Sequence, residues 1–98
     1  MANLIITYWR DIPSQISVKI GRKEEKRMLS ERFQEAIDMA AMRDGASETD
    51  AYLAEWRRAE PVSVGDDLVA EAEKARNSIE TAYDKERLKA LIAKGGRE

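Results

Sequence analysis

Cysteine and histidine are both absent from this chain of 98 residues. Without cysteine there is no disulfide, no thiol nucleophile and no thiolate metal site. Without histidine the commonest general base and metal ligand at neutral pH is missing. Together the two absences exclude Ser-His-Asp and Cys-His catalysis, His- or Cys-ligated zinc, His-held haem and Cys-ligated iron–sulfur clusters. No apolar run approaches the ~20 residues needed to span a bilayer. The opening Met1-Ala2-Asn3-Leu4-Ile5-Ile6 lacks a basic region and is too short for a signal peptide, so a cytoplasmic location is expected. A Gly-rich phosphate loop is also missing. Gly21 stands alone before Arg22-Lys23, and Gly95-Gly96 closes a helical stretch instead of opening one.

What the chain does have is charge: 37% of residues are charged and 43% apolar. The length fits one small domain, residues 1–98, with its core between Leu4 and Ile92 and a fraying tail over Lys94–Glu98. A chain of this size buries roughly 60–65% of its unfolded surface, enough for a modest core but no deep closed cavity. The net charge of −2 is unevenly spread, and the one basic concentration lies between Lys19 and Arg32. With a pI near 5.3, that stretch reads as a solvated loop and helix start, and nucleic-acid binding is disfavoured.

The spacing predicts a strand over Leu4–Trp9, apolar on both alternating faces, and a half-buried strand over Ile16–Ile20. The six residues Arg10–Gln15, with Pro13 among them, suit a wide hairpin loop and not a tight two-residue turn. Gly21–Lys26 reads as a charged connection. A helix follows, capped by Ser30, with Leu29, Phe33, Ala36, Ile37, Ala40 and Ala41 on one face and Gly45 as its stop. Ser47, with Asp50 three positions on, starts a second short helix that carries Tyr52, Leu53 and Trp56 and ends at Pro61. Val62-Ser63-Val64 suits a short edge strand. Asp66 or Asp67 caps a third helix. Its stripe Leu68, Ala72, Ala75, Ile79, Ala82, Tyr83 does not continue into Leu88, Leu91 and Ile92, so a kink or restart is predicted near Asp84. The fold class expected is α+β: a small single domain with an antiparallel β-hairpin, a short third strand being optional, packed against about three helices.

Few constellations carry chemistry. Asp66, Asp67, Glu71 and Glu73 suit a hard cation on composition, but acidic residues at a helix start serve as caps and dipole partners more often. Met39 and Met42 lie off the apolar face of the first helix; packing beneath another helix is favoured over an adaptable contact surface. Arg57-Arg58 after Trp56 read either as complements to a helix C-terminus or as an anion contact. Trp9-Arg10-Asp11 is either a buried ring with a turn-fixing charge pair or a rigid aromatic–arginine anchor.

The run Thr7-Tyr8-Trp9-Arg10-Asp11-Ile12-Pro13-Ser14-Gln15 resembles the opening of a family of small bacterial proteins, the "virulence factor" domains. The resemblance continues through Gly21-Arg22-Lys23, Arg32-Phe33-Gln34-Glu35-Ala36-Ile37-Asp38 and Asp50-Ala51-Tyr52-Leu53-Ala54-Glu55-Trp56-Arg57-Arg58. The family's name describes no chemistry and brings no catalytic residues with it. The resemblance implies a stand-alone module near folate and corrinoid one-carbon metabolism. The function expected is a non-catalytic protein-interaction or accessory module, with Trp9, Arg10, Asp11, Arg22, Arg57 and Arg58 as partner-binding candidates. The alternative is a small-molecule or anion-binding domain, or an enzyme using Lys, Tyr or carboxylate side chains. No metal or cofactor is expected. The expected partner is another protein, a one-carbon enzyme by the resemblance, and not a membrane; self-association stays open.

Overall fold

A computed structural model describes residues 1–46 and 48–98. The strands are β1 (Ala2–Trp9), β2 (Ile12–Ile20), β3 (Lys23–Met28), β4 (Trp56–Arg58) and β5 (Val62–Val64). The helices are α1 (Glu31–Arg43), α2 (Thr49–Ala54), α3 (Leu68–Ala82) and α4 (Lys85–Ala93). The class is α+β, as the sequence predicts. Every strand pairing is antiparallel. The order is β3-β2-β1, and β4 and β5 share the far edge of β1, one against Thr7–Trp9 and the other against Ala2–Leu4.

The first hairpin differs from the wide loop expected. β2 begins at Ile12, leaving only Arg10-Asp11 as the turn, and Pro13 lies inside β2 opposite Tyr8. The turn needs a left-handed residue, and Arg10 supplies it with φ 53°. Such a backbone is uncommon without glycine and persists only where side-chain contacts hold it. A register shift between Thr7 and Tyr8 absorbs an extra residue of β2. This bulge changes the phase of β2. Ile16 and Val18 join one apolar cluster, while Ile12, paired with Trp9, joins another.

The charged connection expected over Gly21–Lys26 is instead a turn at Gly21-Arg22 and the strand β3. Its sequence, Lys-Glu-Glu-Lys-Arg-Met, lacks apolar alternation because it is a sheet edge, where charges discourage pairing with other chains. Arg27 ties it to α3 through Glu73 at 2.7 Å.

The first cluster holds Trp9, Ile12, Leu29, the α1 residues Phe33, Ala36, Ile37, Ala40 and Ala41, and Leu88 and Leu91 of α4. The second lies under α3: Ala2, Ile16, Val18 and Ala72, with Leu4, Ile6, Ile20 and Val64 around them. Ile79 packs against both. β1 therefore turns Leu4 and Ile6 to α3, while Ile5 and Thr7 line a small polar groove of about 80 Å3 made by sheet residues alone. A cover on both faces of β1 is not what the described residues provide; the strand edges and neighbouring side chains half-bury Ile5.

Two of the expected caps and the expected restart are in place. Gly45 follows α1 with φ 72°, Asp67 accepts the Ala70 N–H at 3.1 Å, and Asp84 restarts the chain into α4 by accepting the Arg87 N–H at 2.9 Å. Ser30 precedes α1, but its N–H and hydroxyl donate to the Glu80 carboxylate of α3, at 2.7 and 2.8 Å. Arg32 reaches the Glu80 carboxylate and carbonyl and the Tyr83 carbonyl, closing the C-terminus of α3. The expected cap at Ser47 falls outside the described residues. The second helix stops at Ala54 instead of Pro61, since Trp56–Arg58 pair with β1. The tail expected to fray is docked. Gly95 and Gly96 are buried, the Asp11 N–H donates to Gly96 at 2.8 Å, and the Glu98 N–H donates to Asp11 at 2.8 Å. A Cβ on Gly96 would stand 3.0 Å from the Trp9 ring, and its φ is 90°, so only glycine fits there.

Two outcomes follow. Phe33 is 1% exposed in the centre of the α1 stripe, so Phe33→Ala is expected to cost about 3–5 kcal/mol, read as a lower urea midpoint at unchanged slope. Burial alone would raise the Glu80 carboxyl, but Ser30 and Arg32 outweigh it and hold the group below its ordinary 4.5. A carboxyl lowered on folding adds stability that is complete above its unfolded value and lost as pH falls through the folded one. Acid titration of stability is expected to fall below about pH 4.5, less steeply in Glu80→Gln.

Candidate functional site

The six residues singled out from the sequence do not form one surface. Trp9 is fully buried: its indole N–H donates to the Tyr52 carbonyl at 2.8 Å, and its ring stacks on Tyr52 with centroids 5.8 Å apart. The Arg10 side chain is 6% exposed. Its Nη1 donates to Asp44 at 2.5 Å and to the Gly95 carbonyl at 2.6 Å, while Nε lies 3.5 Å from Glu55, within ion-pair range but without a hydrogen bond. The guanidinium sits 4.8 Å over the Trp9 ring. These two residues are pins of the interior, so neither presents a free head to a partner. Arg22 occupies the β2–β3 turn, at the other end of β2 from the Arg10 turn. With about 3.3 Å of rise per residue, that is roughly 25 Å away.

Arg57 and Arg58 are consecutive strand residues and so point to opposite faces of the sheet. Arg58 lines the polar groove with Ile5, Thr7, Ser17, Lys19 and Lys26. Arg57 joins Asp11 around a recess of about 250 Å3 with Tyr8, Ala59, Tyr83 and Glu98. Its guanidinium lies 4.6 Å over the Tyr8 ring, its Nε donates to the Arg10 carbonyl at 3.0 Å, and its Nη2 to Asp11 at 3.2 Å. Next to the recess without lining it, Arg87 lies 3.9 Å over the Tyr83 ring, pairs with Glu98 at 2.8 Å and donates to the Ala82 carbonyl at 3.3 Å. Burial, with Tyr8 beside it, raises the Tyr83 hydroxyl, so it stays protonated and able to donate at neutral pH. Tyr8, Tyr83 and Arg87 were not among the candidates. Their signal exists only in three dimensions, because β1, α3 and α4 meet here.

A second recess, between α1 and α4, also escaped the sequence reading. It measures about 250 Å3, with Ala36, Met39, Leu88 and Ile92 along its apolar side and Arg32, Glu35, Lys85 and Lys89 at its rim. Met39 and Met42 do not pack beneath a helix as favoured above. They are 55% and 71% exposed: Met39 stands in the wall of the groove beside α4, and Met42 lies outside it. Among the described residues, no three acidic side chains converge as a metal site, the Asp66–Glu73 segment included.

A family model described as "Virulence factor" matches residues 7–92. No curated protein and no solved structure matches the chain. The matched range takes in the whole α1–α4 groove and every lining residue of the Tyr8–Tyr83 recess except Glu98.

Burial separates the two arginines of this region. Arg10→Ala is expected to lose about 2–3 kcal/mol, the scale of a buried charged hydrogen-bond pair. Arg57→Ala, at a side chain 50% exposed, is expected to lose under about 1 kcal/mol. Equilibrium urea unfolding of both variants checks the ordering.

Proposed function

The chain belongs to the virulence factor family, and on that premise we propose that it is a non-catalytic interaction module that docks a partner protein in the α1–α4 groove. What supports the reading is the exposed Met39 in the lining of an apolar cleft, with Met42, also exposed, three residues further along α1. Contiguous exposed apolar surface is costly in a monomer and marks contact sites. Methionine is unbranched and polarisable, so it moulds to a partner without a preformed shape. Two apolar ridges, Ala36–Met39 of α1 and Leu88–Ile92 of α4, suit the i, i+3, i+4 anchors of an amphipathic helix laid between them.

The rim sets the partner's charge. Lys85 and Lys89, one helical turn apart, with Arg32 outnumber Glu35, so a helix flanked by acidic residues complements the groove. Lack of histidine and cysteine removes the most common catalytic groups, in keeping with an accessory role. Enzymes of folate and corrinoid one-carbon metabolism are proposed as the partner class on the family resemblance alone, and a cytoplasmic location belongs to the same proposal.

The test is capture at native expression by tagged wild-type chain and by a Met39→Glu, Met42→Glu variant. Glutamate keeps the helix propensity and repels an acidic partner. The variant is expected to fold within about 0.5 kcal/mol of wild type, as surface changes do. It is expected to lose at least tenfold of a stoichiometric partner that the wild type retains. Equal capture by both chains, no captured protein, or self-association alone would each count against the groove.

A further inference from the structure

The polar groove on the sheet face turned away from α3 shares no lining residue with the α1–α4 groove. Residues paired across antiparallel strands share a face, so the register places its side chains. Ser17 of β2 has Ile5 of β1 on one side and Lys26 of β3 on the other. Two residues along β2, Lys19 stands opposite Glu24, and Thr7 lies between Gln15 and Arg58 of β4. Lys19, Lys26 and Arg58 thus come from three different strands, and all three line the groove. We infer that this groove is a binding site for a phosphoryl dianion, carried by a small phosphate monoester or present as the free ion.

The lining has a positive surplus and donors to spare. Its three cations face one carboxylate, that of Glu24, which leaves a local charge of +2. The Ser17 hydroxyl donates to Glu24 at 2.6 Å and holds that carboxyl below its ordinary 4.5. Desolvation opposes the shift, and the charges of Lys26, Lys19 and Arg58 add to it, so the three cations act on one place. Arg57 directs its donors to Arg10 and Asp11. Arg58, exposed on the opposite face, has no hydrogen bond or ion pair among the described residues, and the same holds for the Lys19 ammonium. The Lys26 ammonium has Glu24 at 3.8 Å. The Thr7 hydroxyl and the Gln15 amide stand in the same lining as neutral donors.

Charge, shape and size select the class. A carboxylate brings one charge and two oxygens in one plane. A phosphoryl dianion neutralises the surplus and spreads three oxygens toward cations set on three strands. The guanidinium fork of Arg58 matches two of those oxygens, and the lysines act as point charges. A volume of about 80 Å3 equals that of two or three waters at roughly 30 Å3 each, the scale of one tetrahedral oxyanion. The lining holds no aromatic ring on which a base could stack, which sets nucleic acid aside as the occupant.

The test titrates sodium glycerol 2-phosphate and sodium phosphate into 15N-labelled wild type at about pH 7, where a phosphate monoester is close to doubly charged. Sodium dimethyl phosphate and sodium chloride at matched ionic strength are the controls. The readouts are the Arg58 Nε–H and the backbone amides of Thr7, Ser17 and Lys19. Both dianions are expected to give saturable shifts at these groups, and the tighter of the two tells whether the ester or the free ion is the ligand. Glu24→Gln, which raises the surplus to +3, is expected to bind several-fold tighter. Arg58→Gln is expected to bind about tenfold more weakly, the scale of one charged hydrogen bond, with the remaining amide spectrum kept. Lys19→Gln, at an exposed side chain, is expected to show a similar loss and serves if Arg58→Gln disturbs β4. Dimethyl phosphate binding as tightly as the ester would overturn the dianion. Equal shifts with chloride, no saturable shift, or unchanged affinity in folded Arg58→Gln and Lys19→Gln would overturn the site.

Discussion

The clamp made by the Arg10 guanidinium ties together parts of the chain that share no local signal. One side chain joins the β1–β2 turn to Asp44 at the end of α1, to Glu55 after α2 and to the Gly95 carbonyl after α4. A charge taken out of water is costly unless its donors are met, and here the met donors are two on one amine, with a ring beneath. The same contacts hold the left-handed backbone at Arg10 that a two-residue turn demands. Lysine has neither the planar fork nor the ring stacking to do this. The value of the clamp lies in position more than in energy: it sets where α1, α2 and the tail end relative to the sheet.

The bulge in β2 is the second constraint. By shifting phase between Ile12 and Ile16 it lets one strand feed two apolar clusters, one beneath α3 and one beneath α1 and α4. Helix α4 then packs along α1 and leaves a groove between the two, with Met39 in its wall. The exposed methionines and the groove beside them are consequences of that arrangement. A straight β2 would keep Ile12 in phase with Ile16 and deprive Trp9 of its paired neighbour.

Arginine over an aromatic ring recurs at four places: Arg10 on Trp9, Arg32 on Phe33, Arg57 on Tyr8 and Arg87 on Tyr83. The first two serve the interior and the helix ends. The other two stand at the surface, Arg57 in the wall of the Tyr8–Tyr83 recess and Arg87 beside it. At all four the guanidinium also donates to a backbone carbonyl, so each stack fixes local packing.

Local patterning was sufficient for the periodic elements. The Phe33–Ala41 stripe, the alternation of Ile16, Val18 and Ile20, the cap at Asp67 and the restart at Asp84 each depend on neighbours within a turn or two. So was the exclusion of His and Cys chemistry. The elements it missed answer to distant partners. β3 carries no apolar alternation because an edge needs charge, and Trp56–Arg58 are strand only because Thr7–Trp9 lie beside them. The tail is ordered by Trp9, Arg10 and Asp11, more than eighty residues earlier. The candidate residues divided for the same reason. Their types and spacing were visible, but whether an arginine is an interior pin or a surface side chain depends on burial. Burial is decided by which segments pack together, a property of the tertiary structure that no run of consecutive residues contains.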